Sequence, residues 1–287
     1  MSNGSDAPDG LKLGLIGDNI ARSRSPMLHR LAGEQNGIAV RYDRLVPIDL
    51  GLRFEEVFDR CTQEGYRGIN VTYPYKEHAT RFVRVNNPLV RAIGAVNTVI
   101  FEGDTPQGHN TDYSGFMSAY NMVRGSSATG SVLMIGTGGV GRAVAFGLVG
   151  LGALELRLVD REPAKAEALA DALQAAAPDM DISIWINSEK AAEGVTGLIN
   201  CTPVGMVGHE GTPLPRQAMR GAEWAFDAVY TPTDTQFLKD AAAAGLSIIS
   251  GWELFFYQGV HAWKHFSGLP VDEAGLRQRL LDMGETG

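Results

Sequence analysis

Lys76 closes the stretch Asn70-Val71-Thr72-Tyr73-Pro74-Tyr75-Lys76, just beyond two small polar side chains and after an apolar run. An amine so placed can take a proton from a substrate hydroxyl or hand one back. Farther along, Asn110-Thr111-Asp112 offers a carboxylate to partner it, and Gly136-Thr137-Gly138-Gly139-Val140-Gly141 has the spacing of a nucleotide loop. A proton carrier, a carboxylate and a dinucleotide loop together point to hydride transfer to or from an alcohol.

Gly136, Gly138 and Gly141 fit G-x-G-x-x-G between an expected strand and an expected helix. Without side chains there, the backbone can approach a pyrophosphate whose charge is favoured at the helix N-terminus. Asp160 ends the next strand about 20 residues on, where an acid accepts hydrogen bonds from the adenosine ribose. A carboxylate at that place repels a 2′-phosphate by about 4 kcal/mol at about 4 Å and an effective dielectric of about 20. Neighbouring Arg161 offsets part of this, so NAD is favoured and NADP remains possible.

These residues need elements to hold them. Leu11 to Ile16, Val40 to Val46 and Gly68 to Thr72 read as strands, and Pro26 to Asn36 as a helix. Leu50, Phe54, Val57, Phe58 and Cys61 recur at helical spacing and predict one half-buried helix. A second unit follows: strands at Ser131 to Ile135, Leu154 to Val159, Ile182 to Ile186, Leu198 to Cys201 and Trp224 to Val229, with a helix over Arg142 to Leu151. Pro163 suits the first turn of another helix, which must end before Pro178. This alternation predicts an α/β fold with a mainly parallel sheet, followed by helices over Trp252 to Phe266 and Asp272 to Met283.

At 287 residues the chain is long for one core, so two domains are expected. The formal charge of -8 argues against a nucleic-acid surface and against anionic membranes. Met1 to Gly10 lacks the apolar core of a signal peptide, and the apolar run from Ala143 to Leu154 is too short to span a bilayer. A cytoplasmic protein is expected. Cys61 and Cys201 are too few for a disulfide framework, and no histidine near Cys201 suggests a nucleophile. His261 and His265 are four apart on a helix with no third ligand, so no metal is expected.

The chain resembles the shikimate dehydrogenases. The loop Gly17-Asp18-Asn19-Ile20-Ala21-Arg22-Ser23-Arg24-Ser25-Pro26 is similar to that family's serine-bearing loop. Asn70 to Lys76, Gly94-Ala95-Val96-Asn97-Thr98 and Asn110 to Asp112 resemble its next three motifs in order. Asn200-Cys201-Thr202-Pro203-Val204-Gly205-Met206, Asp227-Ala228-Val229-Tyr230 and Gln258 extend the match over nearly the whole chain.

The resemblance implies a substrate-binding and catalytic domain over 1–112, completed by 251–287 as C-terminal helices return to it, and a Rossmann dinucleotide domain over 113–250. It implies reversible oxidation of the C3 hydroxyl of shikimate to 3-dehydroshikimate, with Lys76 and Asp112 as the catalytic pair. Ser23 and Ser25 would hold the substrate carboxylate, Asn70, Thr72, Asn97 and Gln258 its hydroxyls, and Tyr230 would line the cleft. Gly136, Gly138, Gly139, Gly141, Asp160, Arg161, Thr202, Pro203, Met206, Val229 and Gly251 would bind the cofactor. The expected partner is a small cyclitol carboxylate, and the expected assembly a monomer or homodimer.

Three stretches depart from the family pattern. Asn19 and Arg22 stand where a proline and a histidine are common, Asp160-Arg161-Glu162 replaces the Asn-Arg-Thr of NADP users, and Glu253 to Tyr257 is bulkier than usual. A quinate/shikimate or aminoshikimate dehydrogenase is therefore the near alternative, and a nucleotide sensor without catalysis the distant one.

Overall fold

The protein is described by a computed structural model over residues 10–283. In chain order its elements begin with β1 (Leu11–Ile16), α1 (Ser25–Gln35), β2 (Val40–Leu45), α2 (Pro47–Leu50), α3 (Phe54–Gln63), β3 (Gly68–Val71), α4 (Pro88–Ile93), β4 (Thr98–Ile100) and β5 (Gln107–His109). Then come α5 (Thr111–Arg124), β6 (Ser131–Ile135), α6 (Gly139–Gly150), β7 (Glu155–Val159), α7 (Pro163–Ala176), β8 (Asp181–Trp185), α8 (Ser188–Ala191) and β9 (Gly197–Asn200). The chain ends with β10 (Trp224–Asp227), α9 (Gln236–Ala243), β11 (Ser247–Ile249), α10 (Gly251–Ser267) and α11 (Glu273–Asp282). It divides into two compact units, one reaching Thr111 and resuming at Gly259, the other spanning Asp112–Gln258.

The first unit carries a sheet in the order β2-β1-β3-β4-β5. β1 runs parallel to β2 and β3, whereas β4 and β5 are antiparallel additions. All four β3 residues are buried, as suits a strand covered on both faces. The single helix expected from Leu50 to Cys61 is interrupted: Gly51 adopts a φ of +65°, and a fresh helix starts at Phe54, where the Glu56 carboxylate accepts from Arg53 N at 2.7 Å. That pairing satisfies one of the donors a helix start leaves open. Leu50 accordingly stays exposed, while Phe54, Val57, Phe58 and Cys61 join the core beside Ile69 and Val71.

The C-terminal residues complete this unit. A methyl on Gly68 would lie 2.6 Å from the Phe266 ring, and one on Gly259 would lie 2.4 Å from Leu28. Arg67 Nε donates to Phe266 O at 3.0 Å, and the Phe266 ring meets His29 edge-on at 5.3 Å between centroids.

The second unit is a six-stranded sheet, β11-β10-β9-β6-β7-β8, with every pairing parallel. The sequence order reverses between β6 and β9, so the strand ends there form the crevice where open α/β sheets bind ligands. Phe116 of α5 packs where Gly147 of α6 has no side chain and meets Phe226 edge-on at 5.0 Å. Among the described residues no helix is long and apolar enough to cross a membrane.

Candidate active site

In the first unit, Asn70 on β3 lies opposite Thr98 on β4 and is buried. Its Oδ1 accepts from Tyr42 OH at 2.8 Å, and its Nδ2 donates to Asn97 O at 3.2 Å and Thr98 Oγ1 at 3.1 Å. An amide has two donors and an oxygen with two lone pairs; both Asn70 donors are used, and its oxygen is shared by Tyr42 and buried His29. Asn97 differs. Its Oδ1 takes Thr111 N at 2.7 Å with the Thr98 and Thr111 hydroxyls at 3.1 and 3.2 Å, and no described residue accepts from its Nδ2. Asn70 is thus held in place by its neighbours, while Asn97 keeps its Nδ2 hydrogens for a ligand oxygen.

Lys76 is half-buried, and its carbonyl accepts from Val96 N at 2.8 Å. Val96 and Asn97 thus hold the backbone at Lys76 and at Thr111 from consecutive positions. Asp112 follows Thr111 as a buried carboxylate in the first turn of α5, where the helix dipole favours negative charge. Thr72, half-buried, closes the turn below the lysine by accepting Tyr75 N at 2.9 Å, and a methyl on Gly17 would strike its Cγ2 at 2.2 Å. Ser23 and Ser25 stand together, Ser23 Oγ donating to Ser25 Oγ at 3.3 Å, while Arg44 Nη2 holds the Ser23 carbonyl at 2.8 Å.

In the second unit, Gly136 has a φ of +96°, and its N donates to Val159 O at 2.8 Å. A methyl on Gly141 would lie 2.3 Å from Gly136 O, whereas one on Gly138 meets nothing within 4 Å. The loop is therefore tight beneath Gly141 and open above Gly138, where α6 begins at Gly139 with no side-chain cap on its first N–H groups. Open donors at a helix start fit a pyrophosphate. Asp160 Oδ2 accepts from both Thr137 N and Thr137 Oγ1 at 2.7 Å, and Oδ1 accepts from Glu162 N at 2.9 Å. Burial opposes its ionisation, but these donors outweigh it and hold the carboxyl below its ordinary range. Arg161 beside it is exposed.

The ends of β9 and β10 are tied by a buried network. Asn200 Nδ2 donates to Asp227 Oδ1 at 2.9 Å and to Val204 O at 3.0 Å, and its Oδ1 accepts Thr202 N and Thr202 Oγ1 at 3.0 and 2.7 Å. Asp227 also accepts Val229 N at 3.0 Å and Thr235 Oγ1 at 2.6 Å. One carboxylate thus fixes both loops expected to touch the cofactor, including Thr202 and Val229. Burial pushes its carboxyl up from 3.8 to about 6 despite three donors.

Because the folded protein binds that proton more tightly than the unfolded chain, the stabilising contribution is full below about pH 4 and is lost as pH rises through about 6. An amide in place of the acid carries no such proton. The unfolding free energy of wild type, measured against Asp227→Asn by urea titration, should fall by about 3 kcal/mol between about pH 4 and about pH 7. A difference that stays flat across that range refutes the assignment.

Of the other expected residues, Pro203 is exposed and Met206 half-buried in the β9 loop. Tyr230 stacks on Phe255 at 5.4 Å, and Gln258 Nε2 donates to Phe255 O at 2.9 Å. Gly251 lies so close to the chain that a methyl would sit 2.5 Å from Val229 O. His265 stacks on His109 at 3.8 Å between ring centroids. Tyr42, Thr98, Thr137, Asn200 and Asp227 hold expected site residues by hydrogen bonds that sequence reading did not assign. Thr137 carried a local signal, a hydroxyl between two loop glycines, and Thr98, Asn200 and Asp227 lay within the quoted motifs.

A family model described as the shikimate dehydrogenase substrate binding domain matches residues 15–99. The chain is 35% identical over 282 residues to a quinate/shikimate dehydrogenase (NAD(+)) of Corynebacterium efficiens, covering 96% of this chain and 99% of the relative. It is 39% identical over 269 residues to a shikimate dehydrogenase (NADP(+)) of Haloarcula marismortui, with 93% and 97% covered. The solved quinate dehydrogenase of Corynebacterium glutamicum in complex with NAD matches with a TM-score of 0.90 at 32% identity, over 96% of this chain and 100% of that one.

Proposed function

The chain belongs to the shikimate/quinate dehydrogenase family, a family of nicotinamide-dependent oxidoreductases, and on that premise we propose that it interconverts shikimate and 3-dehydroshikimate. The observation that carries the reading is the amide of Asn97, whose Nδ2 no described residue accepts from, next to Val96, which binds the carbonyl of half-buried Lys76. A substrate hydroxyl both donates and accepts, and analogues without it would leave this buried group unpaired.

Ser23 and Ser25 turn their hydroxyls to the substrate carboxylate, and Thr72 and Gln258 bind further hydroxyls with Tyr230 lining the site. Lys76 Nζ takes the C3 hydroxyl proton during oxidation and returns it during reduction, with Asp112 orienting the amine. The nicotinamide nucleotide, held by Gly136, Gly138, Gly139, Gly141 and Asp160, supplies the two-electron acceptor or donor. NAD is the preferred form because Asp160 is held ionised where a 2′-phosphate would add like charge.

A second reading, oxidation of quinate as well as shikimate, is favoured by the likeness to NAD-linked quinate/shikimate relatives together with Asp160. Steady-state turnover of both acids with both cofactors separates the readings. Shikimate with NAD should give the highest kcat/KM, with NADP lower by about tenfold or more. Exclusive use of NADP removes the cofactor reading, and no turnover of either acid removes the substrate reading.

A further inference from the structure

We propose that Thr137 determines this chain's choice between a 2′-hydroxyl and a 2′-phosphate on the adenosine ribose, acting as a positioning residue through Asp160. The inference rests on the reading that Asp160 faces that ribose.

Thr137 is 2% exposed, and both its backbone N and its Oγ1 donate to the same oxygen, Asp160 Oδ2, at 2.7 Å. Glu162 N holds the other oxygen at 2.9 Å. Three donors from two sides leave the carboxylate no freedom to rotate, and they occupy three of its roughly four lone-pair sites. The site that remains lies on Oδ1 and suits one ribose hydroxyl. A phosphate at the same place brings only acceptors and like charge.

The geometry is built into the strand ends. Ile135 and Val159 are partners in the β6–β7 pairing, and Gly136 N reaches back to Val159 O at 2.8 Å. The residue after Gly136 therefore lies beside the residue after Val159. Only a residue at 137 with a β-hydroxyl can supply the second donor without lengthening the loop. A valine has the same shape and keeps the backbone donor, so Thr137→Val removes one hydrogen bond to the carboxylate and little else. Hydrogen bonds to charged groups are worth about 1.5–3 kcal/mol, which is a change of about tenfold or more. With that bond gone the carboxylate is held by two donors instead of three, its charge is less favoured and its orientation looser, and the discrimination against a phosphate weakens.

The test is calorimetric binding of NAD and NADP to wild type, Thr137→Val, Thr137→Ser and Asp160→Ala, with thermal unfolding of each protein. Wild type should bind NAD more tightly than NADP. Thr137→Val should reduce that preference by about tenfold, and Thr137→Ser, which restores the hydroxyl, should recover it. If Asp160→Ala abolishes the preference while Thr137→Val keeps it, the role of Thr137 is overturned and the Asp160 reading stands. If wild type shows no preference, or Asp160→Ala leaves it intact, the underlying reading falls and the inference with it. Equal weakening of both cofactors by Thr137→Val shows a structural role only and also overturns the proposal.

Discussion

Lys76→Ala lowers kcat by about a thousandfold and leaves the dissociation constant for NAD unchanged. Positioned proton transfer contributes about 10²–10⁴ to rate, and the amine is the group assigned to it. The loop keeps a backbone anchor after the change, because the Lys76 carbonyl accepts from Val96 N. Lys76→Arg should fare little better, since a guanidinium keeps its proton under all ordinary conditions. Stopped-flow measurement of nicotinamide absorbance with shikimate, alongside calorimetric NAD binding, reads both quantities. Full turnover in Lys76→Ala would take the lysine out of the mechanism.

Gly141→Ala should be the most damaging single methyl on the cofactor side. Its Cβ would stand 2.3 Å from Gly136 O, a backbone atom that has nowhere to go. Gly136 is pinned by its bond to Val159 O, and the Cys201 carbonyl carbon lies 2.7 Å from where its own Cβ would be. Overpacking of this kind costs about 1–3 kcal/mol, and the displaced loop should weaken NAD by about tenfold or more. Gly138→Ala provides the contrast, because its methyl meets nothing within 4 Å. That variant should melt like wild type yet bind NAD poorly, since the methyl occupies space the pyrophosphate needs. Denaturation and binding curves on the two variants check both halves, and normal NAD affinity in both would show that the nucleotide does not approach this loop.

The parts of the molecule legible from sequence were those whose signal is local. The glycine loop between an apolar strand and a helix, Asp160 at the next strand end, and the proline-bounded helix from Pro163 all lie within a few dozen residues. β4 and β5 were not foreseen because each is three residues long, too short for alternation to register. The helical spacing from Leu50 to Cys61 misled for a related reason: periodicity continues across Gly51, but the backbone does not. Pairings made by register were invisible. Asn200 meets Asp227 because they are partners in the β9–β10 ladder, and Asn70 meets Thr98 because they are partners in the β3–β4 ladder. Sequence marked Asn70 and Asn97 as polar groups that bind hydroxyls; which of their atoms remain for a ligand depends on His29, Tyr42, Thr98 and Thr111.

The stretch that follows Gly259 packs into a unit whose strands are all made before residue 111. On the ribosome, those five strands emerge first but cannot bury Gly68 or Leu28 until Phe266 and Gly259 have been synthesised. The nucleotide unit, continuous from Asp112 to Gln258, has all its residues in hand earlier. Birth order and completion order are thus reversed: the nascent substrate half must wait, with apolar surface uncovered, for the tail of the polypeptide.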